Sequence, residues 1–156
     1  MGQSPRAKIA WGIDFGDPEN TCEGYSWSEA GIDKWDFEEE VMPVLFGFTE
    51  EPPEWPEGLE IGSPERRAWW EANRKPYNDR LEAAIPLKFE SYGYEFGGTA
   101  LILKRSLSSV EWEAEAVDPA TLAAPTPDEL AAFSTVMNGL EYDGGTPKLL
   151  LMAMYG

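Results

Sequence analysis

Leu87-Lys88-Phe89-Glu90-Ser91-Tyr92, then Gly97-Gly98, Thr99 to Arg105 and Val110 to Val117, form the stretch on which the fold turns. Its composition is that of strands, and the glycine pair suits a tight turn between the first two. Three strands in such close order predict an antiparallel meander. In the last of them Val110, Trp112, Ala114 and Ala116 alternate with Glu111, Glu113 and Glu115, the pattern of one dry face and one acidic, wet face.

On the N-terminal side of this stretch, Ser63-Pro64-Glu65 is a helix start: a capping hydroxyl, a proline at the first helical position and an acid at the positive end of the dipole. The helix should run to about Ile85. Trp70, Tyr77, Leu81, Ala84 and Ile85 share one face, and Arg67, Glu71, Arg74 and Asn78 another. Pro76 interrupts it, so the helix either kinks there or splits into Pro64 to Lys75 and a second piece from Tyr77. Further upstream Ile9, Trp11, Ile13 and Phe15 alternate with Ala10, Gly12 and Asp14, which predicts a strand with one buried face. Gly16 to Ser28 is polar and rich in turn residues. Asp33 to Met42 has the pattern of a short helix that Pro43 stops, with Val44 to Phe48 continuing as a strand.

On the C-terminal side, Thr126-Pro127-Asp128-Glu129 opens a second helix through about Met137, with Asn138-Gly139 as its stop. Lys148 to Tyr155 reads as a buried strand. The order predicts an α+β fold: a mostly antiparallel sheet of about five strands with two main helices packed on one side. No repeat or long linker divides the chain, so residues 1–156 are expected to form one domain. A chain of this length buries about two thirds of its unfolded surface and needs no staple.

Cys22 is the only cysteine, which rules out an intrachain disulfide and a multi-cysteine zinc site. The start has no apolar core of a secretory signal, and no apolar run approaches a membrane span. A cytoplasmic protein without membrane association is expected; the sequence sets no oligomeric state. The net charge of -17 is unevenly placed: residues 11–60 hold fifteen acids and one lysine, whereas residues 61–110 carry a small positive excess. Such a balance disfavours direct nucleic-acid binding, which depends on neutralising phosphates, and favours a basic protein as partner.

The chain has no histidine. That excludes Ser-His-Asp triads, Cys-His pairs and HExxH zinc sites, and no phosphate loop or GxGxxG string is present. Gly12-Ile13-Asp14-Phe15-Gly16 resembles the first strand of RNase H-like nucleases and of actin-like phosphotransferases, in which an acid before a glycine turn holds a metal or faces phosphate. The resemblance implies a metal-dependent role for Asp14, in a chemistry that also needs further converging acids, for which Asp17, Glu19, Glu111 and Asp128 are available. Packing gives the other reading, with Asp14 facing solvent opposite buried Ile13 and Phe15. Asp14, Asp17 and Glu19 miss the spacing of a calcium loop, because Gly16, Pro18 and Tyr25 fall where ligands belong. No cofactor or metal is expected.

The densest acid run, Asp36, Glu38, Glu39, Glu40, Glu50, Glu51, Glu54 and Glu57, is interleaved with Trp35, Phe37 and Trp55. Carboxylates spread over a surface with aromatic anchors make a negative face suited to the phosphate-binding groove of a basic protein. The prolines of Glu50 to Ser63 predict an acidic surface loop, docked onto the body by Trp55 and Leu59. Trp69-Trp70 beside Arg66, Arg67, Arg74 and Lys75 is a second candidate surface, where Trp69, Arg66 and Arg74 could stack on a nucleotide-like ligand or instead pack under the acidic loop. The expectation is a non-enzymatic acidic inhibitor or regulator of a basic protein, similar in composition to the DNA-mimic inhibitors that phages and mobile elements carry as counter-defence. A small-molecule sponge and a nuclease using Asp14 are the alternatives.

Overall fold

Strand β1 (Pro5–Gly16) is the spine of the sheet. The computed structural model describes residues 5–16, 34–94, 97–110, 114–142 and 145–155. After β1 come a short helix α1 (residues 34–45), a long helix α2 (residues 64–84), strands β2 (Leu87–Tyr94) and β3 (Gly98–Leu103), a 3₁₀ turn (Lys104–Ser106), β4 (Ser108–Val110), helix α3 (Pro127–Gly139) and β5 (Lys148–Tyr155). Cys22, Asp17, Glu19, the turn-rich stretch to Ser28 and Glu111 to Glu113 lie outside the described residues.

Along one edge β1 pairs antiparallel with β5, Pro5 to Gly12 against Tyr155 to Lys148. Along its other edge it serves two strands in succession, β4 against Ala7 to Ile9 and β3 against Gly12 to Gly16. The handover is made by a side chain. The Trp11 N–H donates to Ser106 Oγ at 2.9 Å, and that hydroxyl donates to the Leu103 carbonyl at 2.7 Å. Ser106 is fully buried, so both bonds stand in for ladder bonds that neither strand supplies. β2 and β3 form the predicted hairpin, and β2 closes onto β5 through a short parallel bridge at Gly93 and Tyr94. The order β3-β2-β5-β1-β4, with β3 also on β1, curls the sheet back on itself.

Period two then decides what each face meets. Ile13, Phe15, Leu87, Phe89, Leu101 and Leu103 share one face and pack with Ala132, Phe133, Val136 and Met137 of α3, Phe37 and Met42 of α1, and Leu81 and Ala84 of α2. Ala10, Ala100, Ile102 and Met152 fill the opposite face, across which Lys8 of β1 bonds Glu90 of β2. This is the α+β architecture expected, with both main helices on one side of a mainly antiparallel sheet. The helix starts are also as read. Ser63 Oγ accepts the Arg66 N–H, and Thr126 and Glu129 form a reciprocal capping box. Glu129 additionally receives Arg105 at 2.6 and 2.8 Å; that hydrogen-bonded guanidinium holds its carboxyl down to about 2.

Four expectations are corrected. Val110 to Val117 is not one long strand: among the described residues β4 covers Ser108–Val110, and residues 114–117 are exposed and irregular. Nor does β4 extend a meander, because it pairs with β1. β5 is a strand but only part of it is buried, with Met152 at 3% exposure and Leu151 at 79%. Finally, Pro43 does not stop its helix and Val44 to Phe48 is not a strand, and of the two readings of Pro76 the split is overturned, since the helix runs on through it. A proline inside a helix removes one donor and collides with the carbonyl four residues back. In both helices the five residues before the last residue preceding the proline form a wide π turn, Phe37–Val41 and Trp70–Arg74. Met42 donates to Phe37 and Lys75 to Trp70, five residues back. The widened turn makes room for the ring and adds one residue to the helix count. Trp70 is thereby rotated away from the Tyr77 face: Tyr77 is buried, Trp70 is 37% exposed.

Candidate functional site

The acidic run of residues 36–57 spans α1 and the loop that follows it. On α1, Phe37 and Met42 are buried, which turns Asp36, Glu39 and Glu40 outward. Glu38 lies between these directions and is half-buried. Its Oε2 accepts the Phe89 N–H at 2.9 Å, and one turn earlier Lys34 Nζ donates to Ser91 Oγ at 3.2 Å. Both bonds fall on β2, so α1 covers an edge that would otherwise expose backbone donors. Burial raises the Glu38 carboxyl above its ordinary value, against the lowering effects of the Phe89 N–H and of Lys34, Lys104 and Lys88.

The loop is tied down by surface contacts to α2. Glu50 takes a two-pronged hydrogen bond from Arg80 at 2.9 and 3.0 Å, which lowers its carboxyl. The Trp55 ring lies 4.4 Å from that of Trp69, tilted by 37°, and the Arg66 guanidinium sits 4.3 Å over Trp55. Arg74 donates to the Pro53 carbonyl at 3.4 Å and lies over the Tyr77 ring. The basic, aromatic side of α2 is thus the seat of the acidic loop. Trp69, Arg66 and Arg74, read from the sequence as ligand-stacking candidates, are engaged by Trp55 and Pro53.

The candidate partner-binding acids therefore divide. Glu38 is held by the backbone of β2 and Glu50 by Arg80 at the surface. Asp36, Glu39, Glu40, Glu51, Glu54 and Glu57 are exposed, and none forms an ion pair with a described residue. Beside Glu38, Glu39 and Glu40 opens a cleft of about 500 Å³ between α1, α2 and β2, floored by Met42, Tyr77, Leu81, Ile85 and Leu87. Of its three basic residues, Lys88 is paired with Glu90 and Lys104 with Glu82, each at 3.3 Å, while Arg74 donates to the Pro53 carbonyl. The sequence gives no signal for this cleft, because its walls come from segments that only the tertiary fold brings together.

Asp14 lies elsewhere, exposed on β1, where it accepts the Gly16 N–H at 2.8 Å and the Tyr92 hydroxyl. The glycines around it have packing roles. A Cβ on Gly12 would run into the Leu101 carbonyl oxygen and come 3.0 Å from Ile102 Cγ2, and Gly16 has φ of 74°. Among the described residues no three acids or cysteines gather as a metal cluster. No helix among them is long and apolar enough to cross a membrane. Compared with known proteins, the chain matches no family model, no curated protein and no solved structure.

Proposed function

We propose that the chain is a non-enzymatic binding protein that lays the acidic face of α1 and the following loop on a basic, nucleic-acid-binding protein, acting as its inhibitor or regulator. One observation carries the reading: six exposed carboxylates that form no ion pair with a described residue lie on a surface whose neighbouring anchors, Glu38, Glu50 and Trp55, are fixed to the body. Carboxylates held on an anchored surface imitate a run of phosphates and lose less freedom on binding than a disordered acidic tail would. The same anchors weigh against a nucleotide sponge at Trp69 and Arg66, since a ligand there would first displace Trp55. The counter-defence role suggested by composition belongs to this reading as its biological setting.

The test keeps the anchors and reverses the free acids. Glu39→Lys, Glu40→Lys, Glu54→Lys and Glu57→Lys are combined, and capture from host lysate is compared with wild type at low and high salt by mass spectrometry. A basic protein retained by wild type at low salt, released as screening shortens the range of its charges, and lost with the variant is the expected outcome. Equal capture by the variant would reduce the acidic face to a solubility coat.

A further inference from the structure

We infer that the cleft between α1, α2 and β2 seats one arginine side chain of the basic partner, with Glu38 as the carboxylate that receives its guanidinium. This rests on the acidic-face reading above and adds to it the contact that gives the face its specificity. Glu38 is prepared for the role by the bond it already makes. Its Oε2 accepts the Phe89 N–H at 2.9 Å, which fixes the carboxyl group on the cleft wall. Its Oε1 makes no hydrogen bond with a described residue. Among the described residues that are not exposed, no side-chain oxygen is both unbonded and sealed from solvent, so Oε1 is reachable from outside. An oriented carboxylate with one oxygen committed and one open, beside an apolar floor, is a receptor for a charged donor.

Charge selects a cation. The three basic residues of the cleft are engaged, Lys88 and Lys104 by carboxylates and Arg74 by the Pro53 carbonyl. On the α1 wall, Glu39 and Glu40 form no ion pair with a described residue. An anionic ligand would meet three acids there, and a purely apolar one would strip water from Glu38 and leave its charge unpaired. The floor selects which cation. Met42, Tyr77, Leu81 and Leu87 suit the methylene stem of a long basic side chain. A guanidinium is planar and more weakly hydrated than an ammonium, so it gives up water more readily beside such a floor, and its fork leaves donors for the acids next to Glu38. Access follows from shared residues: Glu39 and Glu40 belong both to the exposed acidic face and to the cleft lining, so a partner laid on that face reaches the cleft. The volume of about 500 Å³ exceeds one side chain, and the partner residues flanking the arginine fill the remainder.

The test compares a fluorescein-labelled peptide of about nine lysines with the same peptide carrying one central arginine, by anisotropy with the full chain at about 0.05 M salt. The two peptides are equal in charge, so the acidic face at large does not tell them apart. The arginine peptide should bind wild type about tenfold tighter, the order of one charge-assisted hydrogen bond. Glu38→Gln, which keeps an acceptor for the Phe89 N–H, should bring that ratio to about one. Asn78→Trp should do the same without changing charge, by filling the cleft from its exposed α2 side. Glu54→Lys with Glu57→Lys lies outside the cleft and should weaken both peptides while the ratio stays at about tenfold. Equal binding of the two peptides to wild type overturns this inference and leaves the acidic-face reading standing, as does a ratio that survives Glu38→Gln or Asn78→Trp. Failure of both peptides to bind overturns the two together. Arginine amide binding as tightly as the arginine peptide would make the cleft a site for a free small cation and overturns the docked side chain.

Discussion

Helix α1 and the proline-rich loop after it are written in the same alphabet, acids interleaved with aromatics, yet they are held by different physics. α1 is bound through its interior: Phe37 is 2% exposed, packs edge-on against Phe89, and Glu38 closes a backbone donor of β2. The loop is bound from outside, by an exposed Glu50–Arg80 pair and by the stacking of Trp55 on Trp69 and Arg66. Acid beside aromatic therefore has no fixed meaning. Where a neighbouring sheet edge lacks donors' partners, the acid turns inward; where only a helix surface is near, it remains on the rim.

The sharpest way to break this contrast is Phe37→Ala. Truncating a buried phenylalanine costs about 3 to 5 kcal/mol, so the whole chain should lose stability in denaturant titration, not α1 alone. Smaller, and more discriminating, is Glu38→Ala. It leaves the Phe89 N–H without its partner, for about 1 to 3 kcal/mol, whereas Glu39→Ala next to it should change stability by less than about 0.5 kcal/mol. Glu38→Gln keeps an acceptor and removes the charge. Because burial raises the Glu38 carboxyl, its contribution to stability is full below the ordinary carboxylate value and is lost as pH rises through the raised one. The glutamine variant should therefore gain on wild type as pH rises above the ordinary carboxylate value, and a pH-independent difference would contradict the buried setting. Smallest is Trp55→Ala, expected to cost about 1 kcal/mol in lost stacking. Its readout is local: faster proteolysis between residues 50 and 63 with little change in melting temperature.

What could be read in the sequence was what is decided locally. Ser63-Pro64 and Thr126-Pro127-Asp128-Glu129 cap their helices as their chemistry requires, and the Leu87–Tyr92 hairpin and the alternation at Ile13 and Phe15 hold. Pro43 misled, and Pro76 left two readings open, because a π turn can absorb a proline and nothing in the residue types announces it. The pairing of β4 with β1 was equally hidden, being set by a turn that carries the chain from one partner position to the next along the same edge. At the candidate site, the acidic surface and the docking of Trp55 were legible. The singling out of Glu38 from Glu39 and Glu40 was not, since all three are alike until Phe37 and Met42 fix the rotation of the helix.

Ser106 shows where that hidden architecture can be timed. Trp11 lies between the two strands that β1 serves, and its amide would exchange with solvent water if the junction opened. With its proton held by a fully buried hydroxyl, that amide should exchange as slowly as those paired in the flanking ladders, and only when the whole sheet opens. Ser106→Ala would uncouple it: the amide would exchange through a local opening, and β3 and β4 would come off the spine as two events instead of one.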